Sequence, residues 1–148
     1  MTFNLTVLGS GAGTPLPGRF TSAQVLNVHE RFVLIDCGEG TQINMRRFGI
    51  NFNRVELILI SHLHGDHYFG LIGLINSLSL LSRQQELHIF GPSPLKEIIE
   101  LQLKVADTHV CYPLYIHPIT EAATLIDTDR LSVKCFRTNH RIECYGFS

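Results

Sequence analysis

Apolar and polar positions alternate at the start of the chain, where Phe3, Leu5 and Val7 are separated by Asn4 and Thr6. That period of two predicts a half-buried strand. A glycine-rich turn over residues 9–13 follows. Read alone, it suggests a phosphate-cradling loop, but Pro15 and Pro17 stand where the helix of such a loop would begin. A turn that carries the backbone close to a site is the better reading. Residues 24–28 and 32–36 predict a hairpin around His29-Glu30-Arg31, and residues 41–48 a short helix ended by Gly49. Residues 55–61, apolar except for Glu56 and Ser61, predict a buried strand. Residues 69–81 are apolar on most faces and predict a buried helix. A strand over 87–90 is stopped by Gly91-Pro92. Residues 94–105 predict a helix with proline in its first turn and Ser93 as its cap. Leu95, Ile98, Ile99, Leu101, Gln102 and Val105 form its inward stripe. Strands over 114–119, 124–126, 131–137 and 144–148 complete the chain. Strands and helices interleave, so the expected class is an α/β layer, and 148 residues make one domain.

The chemistry is concentrated where the strand over 55–61 ends. His62-Leu63-His64-Gly65-Asp66-His67 holds three imidazoles and a carboxylate within six residues. Imidazole and carboxylate suit zinc. His62 and His64 are two apart, so in extended backbone they face the same way and can share one ion. Asp66 and His67 follow a glycine that lets the chain turn, and they can reach a second. The alternative, four solvated loop residues, leaves so dense a cluster at a strand mouth without a purpose.

Composition adds limits. Hydrophobic residues make up 45% and charged residues 17%, apolar for a small domain, and the formal net charge is −1. This balance shows no basic face, so charge alone neither supports nor excludes RNA. Cys37, Cys111, Cys135 and Cys144 show no paired spacing, and the start Met1-Thr2-Phe3-Asn4 lacks the basic and apolar regions of a secretory signal. The longest apolar helix is too short to span a bilayer. A reduced, cytoplasmic protein is expected. Cys37 has no histidine near it in sequence and reads as a small buried thiol rather than a nucleophile. His29, His88 and His117 read as solvated or structural, and no chemical role is assigned to His109. Asp36 ends an apolar strand beside the cluster; orienting a ligand imidazole and capping a turn are equal readings.

The six-residue cluster resembles the signature of the metallo-β-lactamase superfamily. Leu8-Gly9-Ser10-Gly11-Ala12-Gly13-Thr14-Pro15, Asp36-Cys37-Gly38-Glu39-Gly40-Thr41-Gln42 and Asn139-His140-Arg141 followed by Tyr145-Gly146-Phe147 narrow the likeness to ribonuclease Z, the tRNA 3′-processing endonuclease. The resemblance runs over essentially the whole chain but covers only about the first half of that family's length. A truncated or partial chain is therefore expected, residues 1–148 being the N-terminal half of a metallo-β-lactamase-like domain. The implied fold is of the αββα type. It would consist of one mixed sheet with helices on one face, the second half of the sandwich absent.

The resemblance also implies the site. His62, His64 and His140 would hold one Zn2+ and Asp66 and His67 the second, giving two Zn2+ per complete site. Asp66 would also act as the base. A metal-bound hydroxide would attack a phosphodiester and release the 3′ trailer of precursor tRNA. Retention of His64 favours zinc over iron. The basic loop tied to the CCA end keeps Arg19 but lacks the family's lysine and asparagine, which puts end discrimination in doubt. The family's tRNA-gripping arm, its bridging aspartate and its later histidines fall outside these residues, so a weak or inactive fragment is expected. The exposed apolar face of a half-fold predicts a homodimer. Rival readings are a cyclic-nucleotide phosphodiesterase, arylsulfatase-like enzyme or lactonase on the same fold, and a non-catalytic fragment that binds RNA or a partner.

Overall fold

The computed structural model describes residues 2–148; Met1, the first residue of the start read for a secretory signal, lies outside them. Strand β1 (Phe3–Gly9) pairs antiparallel with β2 (Ala23–Val28), which pairs antiparallel with β3 (Arg31–Ile35). The β2–β3 turn is two residues long, and both, His29 and Glu30, have positive φ (51° and 68°). Such a turn matches the twist of the flanking strands. Three parallel strands follow in order: β4 (Val55–Leu59), β5 (Leu87–Pro92) and β6 (Leu114–Ile119). The result is one mixed six-stranded sheet.

Helices α1 (Thr41–Arg47), α2 (Gly65–Tyr68), α3 (Leu71–Leu80) and α4 (Pro94–Val105) lie in the connections. The inner parallel strands β4 and β5 are buried on both faces, which is why residues 55–61 read as a nearly continuous apolar run. On the helix side, Leu34, Ile58, Ile60, Leu87 and Ile89 pack with Met45, Leu71, Leu74, Ile75, Leu78, Leu95 and Ile99. On the other side, Val33, Leu57, Leu59, Phe90 and Ile119 pack with Val133, Cys135 and Tyr145.

Those last three residues correct the expectation of one sheet with a bare second face. Strands β7 (Ala123–Asp127), β8 (Ser132–Arg137) and β9 (Tyr145–Phe147) form a separate antiparallel sheet. In β8, buried Val133 and Cys135 alternate with exposed Ser132, Lys134 and Phe136, so its inward residues seat on the large sheet. The second layer is begun, not absent.

Two helix readings were too broad. In α4 only Leu95 and Ile99 are buried and Leu103 packs partly, a narrow stripe at i, i+4, i+8. Leu101 and Val105 face outward, because α4 flanks the edge strand β6. Ser93 occupies the cap position, but its hydroxyl makes no capping bond. In α3 a single face is buried, and Leu80 is exposed. An unexpected buried cation ties the strand starts together. Arg83, 1% exposed, donates to the carbonyls of Asn53, Val55, Gln85 and Glu86 at 2.7–2.9 Å.

Candidate metal centre

The site lies beyond the carboxyl ends of β3 and β4, the crevice in which open α/β sheets bind ligands. β3 delivers Asp36, and β4 runs through Ile60 and Ser61 to His62. Asp36 is buried and sits at φ 58°, a left-handed conformation that aspartate tolerates. Its Oδ1 accepts the Ser61 N–H at 2.9 Å. Its Oδ2 lies 2.6 Å from His67 Nδ1 and accepts the Ser22 hydroxyl at 3.0 Å. The turn-capping reading of Asp36 is not met, since the backbone N–H it accepts belongs to Ser61 of the neighbouring strand end; its other oxygen fixes the ring of His67.

The loop after β3 and the loop after β4 touch along their backbones. Cys37 N–H donates to His67 O at 2.7 Å, and Gly70 N–H donates to Cys37 O at 2.9 Å. A Cβ on Gly38 would lie 2.3 Å from Asp66 O, and one on Gly70 2.2 Å from Gly38 O. Only glycine permits that approach. Cys37 is fully buried between the loops, and burial pushes its thiol up to about 12. It is inert, as its sequence context suggests.

The glycine turn approaches the site as expected: Gly13 N–H donates to Asp66 Oδ2 at 2.9 Å. Burial opposes ionisation of Asp66, but the Gly13 N–H and the nearby imidazoles outweigh it, so its pKa lies below the ordinary carboxylate value. His67 is held at Nδ1 by Asp36, chiefly for which reason its pKa is raised, and it turns Nε2 toward Asp66 Oδ2, 3.7 Å away.

His140 arrives from the far side of the molecule. It lies in the turn between β8 and β9, whose stem is closed by Thr138 N–H donating to Cys144 O at 3.0 Å. Cys144 forms a β-bridge with His62, and Tyr145 N–H donates to Ser61 O at 2.9 Å. The small sheet is thus stitched to the end of β4 and carries His140 with it. Tyr145, 1% exposed, packs against the large sheet, its hydroxyl 3.3 Å from the Ile119 carbonyl of β6 and 2.6 Å from the Glu143 carboxylate.

His62, His64 and His140 consequently offer ligand nitrogens all within 4.8 Å of one another. Burial first, then the neighbouring imidazoles, push His62 down to about 4. It is neutral at physiological pH, with a lone pair to give. Three imidazoles in this arrangement fit a divalent ion of the zinc type, and Asp66 with His67 offers a carboxylate and an imidazole for a neighbour. Among the described residues, no further His, Cys, Asp or Glu completes a three-residue group around that second pair.

The other histidines stand apart. His29 is in the hairpin turn, and His109 is exposed. His88 and His117 lie on the face of β5 and β6 toward the small sheet, with Nδ1 and Nε2 2.9 Å apart. Strand alternation could have aligned them; pairing across strands could not be read from one chain. The sequence reading also missed Ser22 and Ser61, the serines around Asp36, and the approach of Arg141 to His64.

A two-layered sheet with an imidazole cluster at its strand ends defines a class, the metallo-β-lactamase fold. Human tRNase Z, short form, superposes with a TM-score of 0.89 at 35% identity, over 97% of this chain and 63% of that one. The metallo-β-lactamase fold protein YhfI from Bacillus subtilis gives 0.71 at 21%, over 97% and 55%. Within the class, the chain belongs to the family described as Anti-Pycsar protein Apyc1, whose model matches residues 3–147. It is 42% identical over 147 residues to ribonuclease Z of Bacteroides thetaiotaomicron, covering 98% of this chain and 46% of the relative. It is 43% identical over 143 residues to ribonuclease Z of Bacillus thuringiensis, covering 95% and 47%. The chain thus spans about half the length of the curated relatives it matches.

Proposed function

We propose that residues 1–148 are the N-terminal half of a zinc-dependent endoribonuclease that removes the 3′ trailer from precursor tRNA. The observation that carries this reading is the convergence of His62, His64 and His140 beside Asp66 and His67, in a chain 42% identical to a ribonuclease Z. In this reading the three histidines hold one ion, and Asp66 and His67 hold the second. Ions so held supply an activated water at neutral pH and stabilise charge on the phosphoryl oxygens.

The chain's own groups do the rest. Asp66, ionised and aimed by the Gly13 N–H, orients the attacking water and takes its proton. Asp36 fixes the ring of His67 so that Nε2 faces the site. The resemblance to ribonuclease Z, of whose length the chain spans 46%, assigns protonation of the leaving 3′-oxygen to the half that the chain does not span. The chain alone is expected to be weak or inert. Zinc is favoured by an imidazole-rich donor set. A cytoplasmic setting is supported by four unpaired cysteines, and no helix is long and apolar enough to cross a membrane.

The fold alone does not fix the substrate, and a small phosphodiester such as a cyclic nucleotide is the second reading for the same centre. A chimera of this chain with the remaining half of the Bacteroides ribonuclease Z separates the two. Zinc-dependent release of the trailer, lost on Asp66→Ala, is the expected result. A folded, zinc-loaded chimera that spares precursor tRNA and cleaves cyclic nucleotides would overturn the reading.

A further inference from the structure

We infer that Arg141 is a phosphate-binding residue of this centre, its guanidinium taking a non-bridging oxygen of the scissile phosphodiester. The inference rests on the metal reading above. Arg141 follows His140 directly in the β8–β9 turn, and its Nη2 lies 3.4 Å from Nε2 of His64. That imidazole belongs to the triad. Among the described residues Arg141 has no carboxylate partner: Arg31, Arg54 and Arg137 are paired with Glu56, Glu30 and Glu143, and Arg141 is not. Its side chain is exposed and makes no other hydrogen bond.

A permanent cation beside a cation-binding triad makes no electrostatic sense by itself. The nearby carboxylates do not relieve it. Asp36 is committed to His67, Ser61 and Ser22, and Asp66 is bonded to Gly13. Two divalent ions against this chain's own two carboxylates leave its share of the centre net positive, and Arg141 raises that surplus. An anion bridging ions and guanidinium removes the repulsion and turns it into attraction. A phosphodiester has the right charge, and its two non-bridging oxygens allow one to face the ions and the other the fork of the guanidinium. With an ion at the triad, the guanidinium must leave the His64 lone pair. The long side chain on an exposed turn lets it do so without moving His140.

The test uses the 148-residue chain and inorganic phosphate as probe. Phosphate binding is measured by calorimetry on zinc-loaded wild type, Arg141→Gln and Arg141→Lys, with zinc per chain determined in parallel. The expected result is unchanged zinc content, phosphate affinity at least about tenfold weaker in Arg141→Gln, the loss of one charge-assisted contact, and partial recovery in Arg141→Lys. Equal phosphate affinity in wild type and Arg141→Gln, both holding zinc, overturns this role and leaves the metal reading intact. Failure of the wild type to take up zinc overturns both. Zinc loss confined to Arg141→Gln also overturns the role, because Arg141 would then support the ligands and not the phosphate.

Discussion

The two faces of the six-stranded sheet are closed to different degrees. The helix side is sealed: Leu34, Ile58, Leu74, Ile75 and Leu78 are all 0% exposed, and Arg83 ties the strand starts behind them. The other side is covered by three short strands over β3 to β6, with Leu26 of β2 packed at their margin, and left open over β1. There Phe3, Leu5 and Val7 are 69%, 53% and 51% exposed. Beside them, an apolar cavity of about 300 Å³ is lined by Leu26, Val33, Ile35 and Phe147. The candidate site lies at the strand ends, where the layers meet. Its histidines over 62–67 come from the sealed part, and His140 comes from the thin second layer. Stability and site assembly should therefore respond to different substitutions.

The largest effect is expected on the sealed side at Arg83. Arg83→Met keeps the stem and removes four donors, leaving the carbonyls of Asn53, Val55, Gln85 and Glu86 without them. Each carbonyl stranded away from water costs about 1–3 kcal/mol. Chemical denaturation should show a variant barely folded at room temperature; a midpoint within error of wild type would mean that water reaches the carbonyls. Ile58→Ala, next in size, leaves a cavity in the same core at a cost of about 2–5 kcal/mol. Phe3→Ala on the open side should fall within about 0.5 kcal/mol of wild type. Similar losses for the two would erase the distinction between the faces.

Asp36→Asn acts at the meeting of the layers. The amide keeps the shape but no longer anchors His67 as an ion partner, and loss of such a partner weakens metal binding about 10- to 100-fold. Zinc titration against a chelator should show that loss in the Asp66–His67 half, with the triad's affinity kept. On the proposed reading, removing the metal altogether should loosen the β8–β9 turn before the core, which hydrogen exchange at Thr138 and Tyr145 amides can follow.

Much of this arrangement was legible from the chain, and the reasons are local. The mixed sheet and its helices follow from period-two alternation at Phe3, Leu5 and Val7, the apolar run of β4, and Pro94 at a helix start, although the alternation predicted a buried face for β1 and those three residues are exposed. The cluster His62-Leu63-His64-Gly65-Asp66-His67 announced itself by density. His140, 73 positions beyond His67, was legible only through resemblance, because nothing local aims a turn histidine at a distant strand. The aim comes from long-range pairing, Cys144 with His62 and Tyr145 with Ser61. Arg83 was invisible for the same reason. A lone arginine in a polar loop has the pattern of a solvated residue, and only the converging carbonyls make it a core group. The α4 stripe misled because periodicity reports which residues can face inward, not how much sheet lies beneath them.

The smallest change in folding energy tests the open face. With β1 uncovered, two chains should pair through Phe3, Leu5 and Val7, since a contiguous apolar patch of this kind drives association. A homodimer is the proposed outcome for the isolated chain. Leu5→Ser with Val7→Ser should move each chain's stability by no more than about 0.5 kcal/mol per site, both positions being half exposed already. The same pair should shift sedimentation from dimer toward monomer, because the buried apolar area is lost twice across a two-fold interface. A wild-type chain that sediments as a monomer at every concentration would show that the three side chains tolerate water. The open face would then be a property of the fold without a consequence for assembly.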